Sequence, residues 1–195
     1  MSSRSKILAK IKASKPAYSD LLEMDLEIFN EKIDFLVEFK RKVEIVGGKV
    51  FTVNSFEAIL EQSKELYPNA KSIFSTLPNS NNFNTLAITD IKKPQELDNL
   101  DLLVLKGEFG VAENGAIWIT DDNFPLRVLP FITKHLVLVI DKAEIVPYMH
   151  QAYVKLKNVD YNFGLFLSGP SKTADIEQSL VIGAQGALSL SVFII

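Results

Sequence analysis

The sequence predicts an α/β fold, with a mostly parallel sheet flanked by helices. Two observations lead to this prediction. Short apolar segments alternate along the chain with segments of helical periodicity, a pattern typical of parallel strands joined by crossover helices. The apolar runs at 102–105 and 135–140 are continuous, as expected of strands covered on both faces. With 195 residues, 47% of them hydrophobic, the chain is long enough for one such domain.

The elements follow in order from local signals. Apolar residues at helical spacing end at Gly47 and Gly48, which predicts a helix stop. Asn54 or Ser55 offers an N-cap for a second helix, and a third helix begins near Val146. Strands are predicted at 49–53, 72–76, 86–89, 102–105, 116–120, 135–140, 163–167 and 188–195. The apolar run 116–120 is assigned to the parallel sheet.

Charge is distributed unevenly, although the net charge is only −3. The basic residues of the first 19 positions, where no acid occurs, are Arg4, Lys6, Lys10, Lys12 and Lys15. The remaining residues carry 16 basic and 24 acidic side chains, so the body of the chain is a poor binder of nucleic acid. Ile7, Leu8 and Ile11 predict an amphipathic helix that docks on its own domain or on a partner. We therefore expect an N-terminal extension at 1–25 and an α/β domain at 26–195.

Composition excludes several kinds of site. The absence of cysteine rules out disulfides, thiolate zinc sites and cysteine-ligated iron–sulfur clusters in this chain. His135 and His150 are not at metal-ligand spacing, and we predict no metal site. His135 is expected to be a structural residue at the start of a strand; a Ser-His-Asp triad stays open, although the G-x-S-x-G motif is absent. No apolar run approaches the roughly 18 residues of a membrane span, and no secretory signal is evident. These features predict a cytoplasmic protein.

Ligands of open α/β sheets bind beyond the carboxyl ends of strands, and two segments are expected there. The segment 106–115 contains glycines, but in neither the dinucleotide nor the P-loop spacing; the alternative is a plain turn. The segment 168–177 could cradle an anion with Ser171, Lys172 and Thr173, or could simply cap a helix that starts there. Because loops after parallel strands converge on one edge, the two segments predict one pocket. Its residues are Glu113, Asn114, Gly115, Ser168, Gly169, Ser171, Thr173, Asp175 and Gln185.

Three segments together resemble a known family. They are Gly110-Val-Ala-Glu-Asn-Gly115, the run from Leu129 to Ile140, and Ser168-Gly-Pro-Ser-Lys-Thr-Ala-Asp-Ile-Glu177 followed by Gly183-Ala-Gln-Gly186. In this order they are similar to the LUD-domain family, of the lactate-utilisation protein C (LutC/YkgG) type. The resemblance runs from about residue 30 to the C-terminus.

The resemblance implies a fold like that of the NagB/RpiA/CoA-transferase proteins. It implies an accessory role beside iron–sulfur and oxidoreductase partners in the oxidation of L-lactate to pyruvate. No cofactor is then expected on this chain, and iron–sulfur clusters are expected only in the partners. The chain departs from the family pattern where Asn114 replaces a threonine and Gln185 replaces a histidine. Gln185 can hydrogen-bond but cannot carry a proton.

Two other functions stay open at this point. One is a stand-alone binding protein, a monomer or a homo-oligomer, for a carboxylate, a phosphate or a CoA-type ligand. The other is a CoA-transferase-like enzyme, because Ala112-Glu113-Asn114-Gly115 is similar to the segment that holds the catalytic glutamate of those enzymes. In that case Glu113 would be the nucleophile.

Overall fold

The computed structural model describes residues 2–20, 33–174 and 180–195. The chain divides into two compact units, Met1–Glu31 and Lys32–Ile195. The helices are α1 (Ser3–Ala13), α2 (Phe35–Ile45), α3 (Phe56–Leu66), α4 (Leu129–Ile132) and α5 (Met149–Leu156). The strands are β1 (Lys49–Thr52), β2 (Ile73–Ser75), β3 (Leu102–Lys106), β4 (Phe109–Val111), β5 (Ala116–Thr120), β6 (His135–Ile140), β7 (Ile145–Val146), β8 (Gly164–Leu167), β9 (Lys172–Ala174), β10 (Leu180–Ile182) and β11 (Ser189–Ile194).

The predicted parallel sheet is confirmed. Its strands lie in the order β1-β11-β6-β3-β2, and each neighbouring pair is parallel. Successive residues of β3, β6 and β11 alternate between its two faces. One face, with Leu103 and Leu138, belongs to a core that includes Phe39 and Val43 of α2. The other face, with Val104 and Val137, packs against α3. Burial on both faces explains why β3 and β6 are continuously apolar over 102–105 and 136–140.

A second sheet, in the order β7-β4-β5-β8, corrects one prediction. Strand β5 is antiparallel to both β4 and β8, so the assignment of Ala116–Thr120 to the parallel sheet is wrong. The connection from β4 to β5 is a four-residue turn, and so short a connection can join only antiparallel strands. The strand is apolar because Ile117 faces the main core while Trp118 packs beneath α5.

Helix α2 begins and ends at signals visible in the sequence. The Asp34 carboxylate caps it by accepting hydrogen bonds from Leu36 N and Val37 N at 3.0 and 3.2 Å. Its end is closed where Gly48 N donates to Val43 O at 2.8 Å. Phe29, which shares the helical spacing, lies outside the described residues.

The predicted strand at 86–89 is wrong, and a 3₁₀ turn, Ile88–Asp90, occupies its end. Residues just before it cover the edge of β2 with side chains. The Asn84 Oδ1 atom accepts from Ser75 N at 2.7 Å, and Thr85 Oγ1 accepts from Ile73 N at 2.8 Å. These bonds satisfy the edge of β2 in place of a paired strand.

The N-terminal unit contains α1, as the apolar spacing predicted. Ser2 is its N-cap, and its Oγ accepts a hydrogen bond from Ser5 N at 3.3 Å. Lys10 and Lys12 lie in the last turn, where positive charge suits the helix dipole. Docking of this helix stays a prediction.

Candidate functional site

Glu113 lies in the β4–β5 turn and is exposed. Its Oε2 atom accepts a hydrogen bond from Met149 N, the first residue of α5, at 2.8 Å. Its own N–H donates to Pro147 O at 2.9 Å. The carboxylate therefore supplies an acceptor and a negative charge at the N-terminus of α5.

Asn114 and Gly115 complete this turn. The Asn114 Oδ1 atom accepts from Ala116 N at 3.0 Å, a local side-chain turn. Gly115 has φ +68°, and a Cβ atom there would lie 2.8 Å from Val43 N. Only glycine fits this approach of the turn to the end of α2.

The segment that follows β8 meets this turn, as the sequence predicts. Ser168 Oγ donates to Asn114 O at 2.8 Å, and the Lys172 ammonium donates to Val46 O. A Cβ atom on Gly169, which has φ +74°, would lie 2.6 Å from the same Val46 O. The two segments do not meet as loops after parallel strands, however, so that part of the prediction is wrong. The start of β5 meets the end of β8 because these strands are antiparallel neighbours, with Ile117 opposite Leu167.

The rest of the predicted anion cradle has a different local structure. Thr173 lies in β9, opposite Val181 of β10 in an antiparallel pair, so the alternative in which Ser171 or Thr173 caps a helix is wrong. Ser171 N donates to Ala187 O at 2.9 Å, and Gly183 N donates to Ser171 O at 3.0 Å. Asp175 lies outside the described residues.

Gln185 is exposed and lines a shallow depression of about 270 Å³ with Phe131 and Lys134. Glu113, Asn114 and Gly115 do not line this depression. The structure thus brings Asn114 and Ser168 into direct contact and places Gln185 at a separate surface.

A cleft of about 450 Å³ opens at the carboxyl edge of the parallel sheet. Lys106, the last residue of β3, and Asp141, which follows β6, both line it, with Phe109 and Trp118 among its apolar walls. Lys155 pairs with Glu144 in this cleft. This is the edge where α/β sheets bind ligands. The segment 106–115 indicated this edge, but the aromatic walls come from the second sheet, which the sequence did not reveal.

A second cavity, of about 560 Å³, lies at the amino edge of the same sheet. His135 and Ser189, the first residues of β6 and β11, line it, and His135 Nδ1 is 2.8 Å from Ser189 Oγ. The Tyr67 ring stacks on the imidazole at a centroid distance of 4.5 Å. Its hydroxyl lies 3.1 Å from Ser189 Oγ and 2.8 Å from Ser191 Oγ. The sequence predicted only a structural role for His135 and did not indicate Ser189, because Ser189 reaches the imidazole through the register of two strands.

Charges at this amino edge are arranged around Asp101. Its Oδ2 atom accepts from Lys71 N and Ser72 N at 2.8 and 3.1 Å, and its Oδ1 lies 2.6 Å from the Lys134 ammonium. The hydrogen bond from Lys134, with those from the two backbone amides, lowers the pKa of Asp101 to about 2. Partial burial lowers the pKa of His135, Lys134 lowers it further, and Asp101 opposes the shift. The imidazole is therefore largely neutral at neutral pH.

Comparison with known families decides the relationship. The model of the LUD domain matches residues 36–195. The chain belongs to the LUD domain family. The matched residues include β1 to β11 and all of the predicted pocket.

Curated relatives bear the name Lactate utilization protein C. The chain is 30% identical to that of Geobacillus kaustophilus over 91 residues, covering 44% of this chain and 38% of the relative. It is 34% identical to that of Bacillus pumilus over 89 residues, covering 43% and 37%. These matches span less than half of the length of each relative.

A solved structure supports the α/β fold. It is a DUF162 family protein from Deinococcus radiodurans, with a TM-score of 0.61 at 18% identity. The superposition covers 82% of this chain and 95% of the other. The prediction of a mostly parallel sheet flanked by helices is thereby confirmed.

Within residues 2–20, 33–174 and 180–195, no three His, Asp or Glu side chains are grouped so that they could hold a metal ion. None of the helices in that part of the chain combines the length and the apolar character that a bilayer span requires.

Proposed function

We propose that this LUD domain protein is an accessory subunit in the oxidation of L-lactate to pyruvate, working with iron–sulfur and oxidoreductase partners. The observation that carries the proposal is the family match over 36–195, together with curated relatives named Lactate utilization protein C. Oxidation of the hydroxyl carbon of lactate releases two electrons and two protons. A chain without cysteine cannot hold an iron–sulfur cluster by thiolates, so the clusters that carry these electrons belong to the partners.

The loop contacts support an accessory role over chemistry at Glu113. Glu113, Asn114 and Ser168 each direct their side chains to backbone groups, in the helix cap, the local turn and the contact between loops. Such bonds build a rigid surface formed by the β4–β5 turn and the start of the 168–174 segment. A rigid surface of this kind suits recognition of a partner protein.

Growth on defined carbon sources tests the proposal. We expect a strain that lacks this gene to lose growth on L-lactate, to keep growth on pyruvate, and to recover when the full chain is restored. Cell extracts of the strain should lose L-lactate-dependent reduction of a dye, while NADH-dependent reduction remains. Unchanged lactate oxidation in the deletion strain would refute the proposed function.

Purification of the tagged chain from its own cells separates the accessory role from the binding-protein alternative. We expect an iron–sulfur protein and an oxidoreductase to co-purify, identified by mass spectrometry and by the absorbance of the clusters. Recovery of the chain alone, or as a homo-oligomer, would favour a stand-alone ligand-binding protein.

Acyl exchange tests the enzyme alternative. If Glu113 is a nucleophile, Glu113→Gln abolishes exchange between a CoA thioester and a free carboxylate, because an amide cannot form the acyl anhydride. On the accessory interpretation we expect neither the wild type nor Glu113→Gln to catalyse this exchange. Isotope exchange with acetyl-CoA and labelled acetate measures it directly.

A further inference from the structure

The amino-edge cavity brings a serine hydroxyl and an imidazole together by strand register. Ser189 of β11 pairs with His135 of β6, and both are the first residues of their strands. Paired residues on adjacent parallel strands direct their side chains to the same face of the sheet. The observed separation of 2.8 Å between Ser189 Oγ and His135 Nδ1 follows from this register.

The hydroxyls of Ser191, Tyr67 and Ser189 form a chain of hydrogen bonds that ends at His135. Only one direction of donation along this chain gives each hydroxyl an acceptor within it. In that direction Ser191 donates to the Tyr67 hydroxyl, Tyr67 donates to Ser189 Oγ, and Ser189 donates to His135 Nδ1. In the opposite direction the proton of Ser191 has no acceptor among the described residues, although Ser191 is fully buried. A buried hydroxyl proton without an acceptor is costly, so the first direction is favoured. Ser189 thus directs its proton to the unprotonated ring nitrogen of His135.

The surroundings hold this imidazole in place as a base. The stacked Tyr67 ring fixes its plane. Asp101 lies near enough to favour the imidazolium, whereas Lys134 opposes it. Both oxygens of Asp101 are bound elsewhere, so Tyr67 rather than a carboxylate orients the ring. A serine within hydrogen-bond reach of an oriented base is the arrangement of an activated nucleophile.

We propose that Ser189 is a catalytic nucleophile with His135 as its general base, acting on carboxylic esters or thioesters that carry a negative charge. The charge preference comes from the cavity, which is lined by Lys49 and Lys134 with Asp101 as the acidic residue among its described lining. The cavity of about 560 Å³ is within the size range of small-molecule sites.

The reaction takes place in two balanced stages. Ser189 Oγ forms a bond to the carbonyl carbon, its proton passes to His135 Nδ1, and the C–O or C–S bond breaks as His135 returns that proton to the leaving group. Water then attacks the acyl-serine, giving its proton to His135, which returns it to Ser189 Oγ as the carboxylic acid leaves. Nothing is oxidised or reduced, so this activity is independent of the proposed role in lactate oxidation.

Active-site labelling tests the nucleophile. A biotinylated fluorophosphonate should label the full chain on Ser189, as located by peptide mass spectrometry, and Ser189→Ala should abolish the labelling. Ser14→Ala, which removes an exposed serine that is not among the residues lining the cavity, serves as the matched control and should label like the wild type. Labelling no faster than that of heat-denatured protein, or on residues other than Ser189, would overturn the proposal.

The role of His135 has a separate readout. We expect His135→Gln, which keeps a hydrogen-bonding side chain, to slow labelling about 100-fold or more. Should this variant fail to fold, the pH profile of the wild type decides. The rate should be constant at neutral pH and fall in acid as His135 is protonated, with an apparent pKa below 6.5. A rate on Ser189 that depends on neither His135 nor pH would refute the general base.

A comparison of a charged and an uncharged ester tests the proposed substrate class. We expect mono-p-nitrophenyl glutarate to be hydrolysed with a higher kcat/KM than p-nitrophenyl butyrate, and Lys49→Ala to remove most of the difference. Equal values for the two esters would overturn the proposed substrate class.

Discussion

Two polar regions of this LUD domain differ in what their side chains bind. In the loop surface, formed by residues 113–115 and 168–172, side chains bind backbone groups: Glu113 binds Met149 N and Ser168 binds Asn114 O. At the amino edge, His135 and Ser189 bind each other. Side chains that hydrogen-bond to backbone groups stabilise the fold. Side chains that hydrogen-bond to one another, as a hydroxyl and an imidazole do here, can exchange a proton. The comparison indicates that the side-chain bonds of the loop surface hold its backbone in place, which is what its proposed role in partner recognition requires.

The largest effect should come from the tightest point of the loop surface. Gly115→Ala places a Cβ 2.8 Å from Val43 N and 3.0 Å from the carbonyl carbon of Lys42, at a φ of +68°. Neither atom belongs to a flexible side chain, so the turn or α2 must move. We expect the free energy of unfolding to fall by about 3 kcal/mol or more. Urea denaturation with an unchanged m-value measures the loss.

Gly47→Ala is the matched control for this substitution. Gly47 also has positive φ, +88°, but the nearest atom to an added Cβ is 3.7 Å away. Only the backbone strain remains, about 1 kcal/mol. If Gly47→Ala cost as much as Gly115→Ala, crowding against α2 would not be what fixes the loop surface.

A smaller loss of stability is expected at the amino edge. Here Asp101, unlike His135 and Ser189, accepts hydrogen bonds from backbone amides. Its pKa is lowered to about 2 from 3.8, chiefly by Lys134, so the carboxylate stabilises the folded state above about pH 4. This contribution is lost as the pH falls towards about 2. We expect Asp101→Asn to lower the free energy of unfolding by roughly 1–2 kcal/mol at neutral pH, after screening by solvent. The difference from the wild type should shrink towards zero in acid.

Urea denaturation at several pH values checks this prediction. A double-mutant cycle with Lys134→Met then isolates the ion pair, since the two single losses should add to more than the double loss. A difference between wild type and Asp101→Asn that stayed constant from neutral to acid pH would contradict the assigned pKa.

The sequence was sufficient for the parallel sheet but not for the second sheet. Runs such as 136–140 are apolar because both faces are covered, and that signal is local. Ala116–Thr120 is just as apolar because it too is covered on both faces. Burial is therefore readable from composition, whereas the choice between a parallel and an antiparallel neighbour depends on the four-residue turn after β4.

The same difference between local and tertiary signals explains which features of the two sites the sequence predicted and which it missed. The segments that hold Asn114 and Ser168 were expected to share a pocket as loops after parallel strands, whereas they meet because β5 and β8 are antiparallel neighbours. Tyr67 and Ser189 were missed since they are 122 positions apart in the sequence. They meet only through the register of β11 with β6 and the position of α3, both of which are tertiary features.

The smallest expected loss of stability is that of Glu113→Gln, which tests whether Glu113 in the loop surface has a structural role. Gln keeps an oxygen that can accept the hydrogen bond from Met149 N and removes the negative charge at the N-terminus of α5. Loss of the charge interaction with the helix dipole is worth about 0.3–1 kcal/mol, whereas Glu113→Ala, which also removes the acceptor, should cost about 1–2 kcal/mol. Thermal and urea unfolding of the two variants should rank them in this order. Equal losses for Gln and Ala would mean that the charge alone matters and that the cap bond contributes nothing. A retained cap in Glu113→Gln, beside a lost fluorophosphonate reaction in Ser189→Ala, would assign structure to the loop surface and chemistry to the amino edge.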